Sequence, residues 1–188
     1  LDTINCIAIQ KGASEITNIV SALASFYRVS LSKGKEQICI REEISHAQMY
    51  MKILDSRFPG KIKTIWEISP EIEDLQTIKI ILQPILENAA IHGIYEKDSG
   101  AGNIMVKAWL EGDDVYLTVE DDGIGMDQSV IDANFHHPTQ KLNHMDGGYG
   151  IRNIVARIRI AYGPEYGLSC ISNAGQGTKV TIHIPKCN

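Results

Sequence analysis

The sequence predicts an α/β protein, a two-layer sandwich with a mixed sheet, preceded by a helical hairpin. Three observations predict it. Helical and strand-like hydrophobic periods alternate through the middle of the chain, the back half is rich in alternating strands, and the opening residues keep a helical rhythm. Residues 1–34 read as the hairpin and 35–188 as the sandwich.

Residues 1–11 read as the tail of a helix, with Leu1, Ile4 and Ala8 on one face, and Gly12 interrupts it. From Ser14 a second helix places Ile16, Ile19, Val20, Leu23, Phe26 and Tyr27 at helical spacing, and "SKGK" closes it. Two such helices enclose no core alone. Either a second copy completes a four-helix dimer or both pack on their own domain. "ICI" is a short strand, and Arg41–Arg57 a helix with Ile44, Ala47, Met51 and Leu54 inward. "KIKTIWEIS" alternates as a strand, with Ile62, Ile65 (after a one-residue slip) and Ile68 apolar. "EDLQTIKIILQPILENAAIHG" reads as one helix, bent or restarted at Pro84. Two alternating strands flank "EGDD", a hairpin signal. A loop rich in His, Asn and Gly from Asn134 to Gly148 precedes the helix "YGIRNIVARIRIAYG", whose Ile151, Ile154, Val155 and Ile158 share a face. "GLSCISNAGQGTKVTIHIP" supplies two last strands and a Gly-rich turn.

Composition narrows the function. The 188 residues suit one sizeable domain with a small appendage, and 44 % apolar with 22 % charged residues is an ordinary globular balance. A net charge of −5 without a basic stripe argues against a nucleic-acid partner. Cys6, Cys39, Cys170 and Cys187 are scattered, with no CxxC, and read as reduced thiols. No apolar run reaches membrane-spanning length. The chain opens on Leu1 already in helical rhythm, as expected of a piece of something longer.

Four short signals carry chemistry. "LTVEDDGIGM" aims acids at a strand end and follows them with glycines. An Asp there can accept the exocyclic amine of adenine, and glycines let backbone approach a ligand closely. "ENAAIHG" places Glu87, Asn88 and His92 on a helix, where Asn88 offers a neutral oxygen to magnesium. "GGYGIRN" opens a helix and presents N–H groups to phosphates. "GQGT" brings Thr178 near the base, where its hydroxyl donates through water or to Asp121. Each alone is an ordinary turn or helix position. All four in this order point to a nucleotide site.

In this ordered set the chain resembles the catalytic ATP-binding domain of sensor histidine kinases, in the wider group that includes gyrase and MutL. "ENAAIHG" is similar to the N box, and "DDGIGM", "GGYGIRN" and "GQGT" to the three glycine boxes. "LQPILENAAIHG" and "REEISHAQMYMKILDSRF" resemble the LytS/YesM-like branch. The resemblance implies a Bergerat ATP-binding fold with ATP and Mg2+ as cofactors. It implies Asn88 as magnesium ligand, Asp121 as adenine reader and Thr178 beside it. His92 is implied at the nucleotide, Gly123 and Gly125 in the base pocket, and Gly148 and Gly150 at the lid hinge and phosphates. Ile91 stands where many relatives carry a basic phosphate contact, so Lys141 and Arg152 become the candidates. Glu87 either polarises a reacting group or faces solvent. The three histidines His136, His137 and His144 read as loop residues rather than metal ligands.

None of the six histidines sits in the acceptor pattern of that branch. The resemblance therefore places the phosphoacceptor just upstream of Leu1, and implies a chain that binds ATP without phosphorylating itself. It further implies a homodimer in the full-length protein, a response regulator receiver domain as partner, and a cytoplasmic domain of a membrane-anchored parent. An ATPase or anti-sigma-type serine kinase of the same fold is the alternative. Those usually carry a glutamate base four residues before the Asn, where this chain has Pro84. A degenerate binding module is the third reading, opposed by the intact Asn88, Asp121 and glycines.

Overall fold

The computed structural model describes residues 1–31, 36–57, 59–132, 135 and 149–188 and, within these, all side chains except those of residues 15, 18, 25, 26, 28–31 and 149. In chain order the elements are α1 (Asp2–Gln10), α2 (Ser14–Leu31), β1 (Gln37–Cys39), α3 (Ile40–Arg57), β2 (Ile62–Ile68) and β3 (Gln76–Ile78). There follow α4 (Gln83–Glu87), which runs on as a π-helix over Asn88–Ile94, then β4 (Gly102–Glu111), β5 (Asp114–Asp121), α5 (Gln128–Ile131), α6 (Tyr149–Tyr162), β6 (Gly167–Asn173) and β7 (Gly177–Pro185).

Five strands form a mixed sheet in the order β2-β4-β5-β7-β6, parallel only between β2 and β4. The α4 and π-helical segment lies in the β2-to-β4 connection, as a parallel pair requires. Alternation sends Val106, Val119 and Val180 to one face as cross-strand partners, with Ala108, Leu117 and Ile182 as the next row. All six are at most 6 % exposed. Helices α3, α4 and α6 cover this face, and α6 buries Ile151, Ile154, Val155 and Ile158 as its period predicts. Each isoleucine fully buried contributes about 1.5–3 kcal/mol. The opposite face carries a stack of Trp109, Tyr116 and His183, with ring centroids 5.6 and 4.8 Å apart. The expected two-layer sandwich with a mixed sheet is the observed fold.

Two expectations fail in detail. Strand β2 has no slip: it pairs with β4 in unbroken register from Ile62↔Gly102 to Ile68↔Ala108. Trp66, rather than Ile65, packs on the core with Ile62 and Ile68. The helix expected over 73–93 is also wrong in its first half. Gln76–Ile78 is a strand paired antiparallel with β1, and the helix begins only at Gln83, with Pro84 in the first turn where a missing N–H costs nothing.

The reason lies 37 to 39 residues earlier. Glu43 on α3 accepts the N–H groups of Ile80, Ile81 and Leu82 at 2.7, 2.7 and 2.9 Å. Arg157 on α6 donates to the carbonyls of Lys79 and Ile80 from the other side. These bonds hold a turn in which Ile80 adopts φ +59, a conformation β-branched residues avoid. Helix α3 in turn is started by Glu42, which reaches back to the Cys39 N–H at 3.1 Å, half of a capping box.

At the front, α1 packs on α2 and α2 on α3. Ala8 and Val20 are buried, whereas Leu1, Ile4, Ile16, Ile19 and Tyr27 remain exposed. The Phe26 side chain and the "SKGK" stop lie outside the described residues. Among the described residues no helix is long and apolar enough to cross a membrane. The four cysteines are free thiols.

Candidate functional site

A cavity of about 430 Å³ opens between the Gln83–Ile94 helix and the β5–β7 part of the sheet. Ile85, Val119, Met126, Ile151 and Val180 give it apolar walls. Asp121, Thr178, Asn88 and His92 supply polar groups. A concave, mostly apolar pocket with few polar groups is the ordinary form of a small-molecule site.

Asp121 ends β5 and is 7 % exposed. Its carboxylate accepts the Gly123 N–H at 2.8 Å, and Thr178 is its cross-strand partner on β7. Burial pushes the Asp121 carboxyl up to about 6, against the pull of the Gly123 and Thr178 N–H groups. Asp122, next in sequence, meets a different fate. Burial raises it too, but the Asn103 backbone and side chain and Lys97 outweigh that and hold it below the usual range. Its Oδ2 accepts from Asn103 Nδ2 at 2.7 Å, and Lys97 Nζ lies 3.1 Å from Oδ1. Asp121 keeps acceptor capacity for a ligand; Asp122 fastens the strand end.

The glycines also serve the packing of the chain itself. A Cβ at Gly123 would run into the backbone of Gly93, one at Gly125 into the Asn173 carbonyl, and one at Gly177 into the Asp121 carbonyl. Gly125 and Gly177 also have φ of +71 and +88, which favours glycine. So the glycines let three chain segments close on one another. Ile124 joins them, its N–H bonded to Gly93 O at 3.0 Å and its carbonyl accepting from Gly175 N at 2.6 Å. Gly125 lines the cavity, while Gly123 is set behind it.

Asn88 begins the π-helical turn and lines the cavity with His92. A π-turn widens the helix, and such turns favour functional sites. Here it is sealed by the Tyr95 N–H on Ala90 O at 2.9 Å. His92 Nδ1 lies 3.1 Å from Glu96 Oε1, an exposed pair that also lines the cavity. Among the described residues no three His, Cys, Asp or Glu side chains converge to hold a metal. The arrangement fits a magnesium ion that takes one oxygen from Asn88 and the rest from phosphate and water.

Other expected residues are scattered. Glu87 is exposed and outside the cavity lining. Arg152 is half-buried in the first turn of α6, also outside the lining. Gly150 opens that helix, with room for a Cβ limited by Pro84 at 3.3 Å. Lys141, Gly148 and the histidines His136, His137 and His144 lie outside the described residues. Sequence reasoning assigned no role to Gly93, where a Cβ would stand 2.8 Å from Asp121 Oδ1. Its signal was present, a glycine closing "IHG". Glu96 was also unassigned, though it follows His92 at i+4. Ser172 had no signal at all.

Over 185 residues the chain is 28 % identical to the sensor histidine kinase BtsS of Escherichia coli K12 and 30 % identical to the sensor histidine kinase YesM of Bacillus subtilis, in each case covering 98 % of this chain. The chain spans 30 % of the length of both relatives. Among solved structures, the catalytic domain of histidine kinase ThkA superposes with TM-score 0.61 at 15 % identity over 81 % of this chain and 97 % of that one. The histidine kinase domain of the Erythrobacter litoralis EL346 blue-light activated kinase gives 0.55 at 20 % identity, over 98 % and 83 %. Residues 1–62 match the "Histidine kinase" family, and residues 73–188 match the "Histidine kinase-, DNA gyrase B-, and HSP90-like ATPase" family. The site just described thus lies wholly within the larger match, and the chain belongs to the histidine kinase-, DNA gyrase B- and HSP90-like ATPases, in the form carried by sensor histidine kinases.

Proposed function

We propose that this chain is the ATP-binding catalytic part of a two-component sensor histidine kinase, which delivers the γ-phosphoryl group of ATP to a histidine outside these 188 residues. One observation carries the reading. A buried carboxylate with spare acceptor capacity, Asp121, faces an apolar cavity whose helical wall carries Asn88. Asp121 accepts the adenine amine, Thr178 stands beside it, and Asn88 supplies one oxygen to Mg2+. ATP brings the transferable phosphoryl group. The chain's own residues bind, orient and exclude water, which is most of what phosphoryl transfer asks of a protein.

Where the three described histidines stand supports the idea that none of them is the phosphoacceptor. His46 is fully buried in α3, His183 is stacked on the outer sheet face, and His92 is on the cavity wall itself. In this proposal residues 1–34 belong to the dimerisation and phosphotransfer hairpin, and the open faces of Ile4, Ile16 and Ile19 meet a second copy. A receiver domain takes the phosphoryl group onward, and the parent protein is anchored in a membrane with this part cytoplasmic. Gly148, Gly150, and one of Lys141 or Arg152 serve the phosphates, while Glu87, exposed, serves only if the acceptor segment brings it a partner.

The test is calorimetric titration of ADP and a non-hydrolysable ATP analogue, with and without Mg2+, into this chain and its Asp121→Asn variant. Saturable binding by the wild type and its loss in the variant support the reading. A folded wild type that binds neither nucleotide sinks it. Radiolabelled ATP then distinguishes the kinase from a binding module, with acid-labile label expected on the longer protein and none on this chain.

A further inference from the structure

Behind the cavity wall, Ser172 on β6 makes three contacts through one hydroxyl. The Met126 N–H donates to its Oγ at 2.8 Å, Gly177 O lies at 2.9 Å, and Thr178 Oγ1 lies at 2.9 Å. A hydroxyl has one proton and two lone pairs. The Met126 N–H occupies one lone pair. Gly177 O is a carbonyl and can only accept, and two oxygens 2.9 Å apart with no proton between them repel. The Ser172 proton therefore goes to Gly177 O. What remains for Thr178 is the second lone pair of Ser172, so Thr178 must be the donor. Its only proton points out of the cavity, and towards the ligand Thr178 offers lone pairs alone.

From this we infer that Ser172 is a positioning residue that fixes the hydrogen-bond sense of the base pocket. It turns Thr178 into an acceptor. Asp121, directly opposite Thr178 on the neighbouring strand, is an acceptor as well. Two acceptors across one strand pair flank a group with two N–H bonds, which is what the exocyclic amine of adenine carries. A 6-oxo purine would place a third acceptor between them. The selectivity of the pocket for an amino over an oxo base thus depends on a serine that does not line the cavity. The inference rests on the nucleotide reading above and refines it: without Ser172, the Thr178 proton is free to rotate inward and meet an oxo group.

The same serine ties Met126, the end of the first glycine segment, to the turn that carries Gly177. A purely structural role would weaken all ligands alike. The experiment is therefore a ratio. ADP and IDP are titrated at pH 8 into the wild-type chain, Ser172→Ala, Ser172→Thr and Thr178→Val, with thermal unfolding recorded for each. Wild type prefers ADP; Ser172→Ala lowers that preference about tenfold, the worth of one polar mismatch; Ser172→Thr restores it. Thr178→Val lowers it too, and adding Ser172→Ala to that variant changes nothing further. An unchanged ADP/IDP ratio in Ser172→Ala, with both nucleotides weakened equally, overturns the inference and leaves Ser172 a brace. If Ser172→Ala does not fold, an unchanged ratio in Thr178→Val overturns it instead. Wild type binding neither nucleotide removes the reading beneath it, a result distinct from either.

Discussion

The two ends of the Gln83–Ile94 helix each meet a buried carboxylate, and the two carboxylates are used in opposite ways. At the start, Glu43 is 0 % exposed, and its two oxygens accept three backbone N–H groups. At the far end, Asp121 lies under Gly93 and takes the Gly123 N–H while facing a cavity. Glu43 spends its oxygens on backbone and lines no part of the Asp121 cavity; Asp121 keeps an acceptor that faces it. Saturation therefore separates a carboxylate that builds from one that binds, where burial alone would rank them together. Desolvation raises the pKa of both, so that shift does not separate them either.

The comparison is broken most readily at Glu43. Glu43→Ala strands three N–H groups and opens a cavity, and should lower unfolding free energy by about 3–5 kcal/mol in urea titration. A loss below about 1 kcal/mol would mean that water or a shifted turn satisfies those amides. Asp121→Asn should behave in reverse. ADP affinity falls about 100-fold, or about 2.7 kcal/mol, with no loss of unfolding midpoint, because a neutral amide is cheaper to bury than a carboxylate.

A pH series sharpens the same contrast. The folded pKa of Asp121, about 6, lies above its ordinary 3.8, so the folded state holds the proton more tightly. Its contribution to stability therefore grows as pH falls from above 6 towards 4. Under the proposed function nucleotide binding should run the other way, because an amine is bound best by the ionised acceptor. At pH 5 about one tenth of Asp121 is ionised, and ADP affinity should fall about tenfold from its value at pH 8. Constant affinity across that range would remove Asp121 as the reader of the base. The smallest effect belongs to the surface. Arg41, paired with Glu73 and Asp74 at 2.9 Å but 57 % exposed, should leave the urea midpoint unchanged when replaced by Ala.

What the sequence made legible was whatever is encoded locally. The "EGDD" hairpin, the faces of α3 and α6, and Asn88, Asp121 and Thr178 were all readable from spacing and residue type. The strand at Gln76–Ile78 was not, because "TIKII" suits a helical period as well as an extended one. The choice is made by Glu43 and Arg157, which reach the turn at Lys79–Leu82 from other helices. The register of β2 failed for a related reason: isoleucines were weighed above Trp66, whose partial exposure hides a core-facing ring. The glycines were recognised from their spacing, but that spacing does not show that they also let Gly93, Asn173 and Asp121 approach closely. Ser172 stayed invisible because a hydroxyl on a strand has no spacing that announces its partners.

The order of strands in the sheet bears on how the protein is made. Strand β7 leaves the ribosome after β6, yet it sits between β5 and β6 and carries Thr178. Until it emerges, β5 has an open edge and Asp121 lacks the strand opposite it. Nascent chains fold segment by segment as they appear. This sheet cannot close on that schedule: its pocket comes into being only once β7 has been made, and a stall before Gly177 would leave the apolar β5 with an unpaired edge.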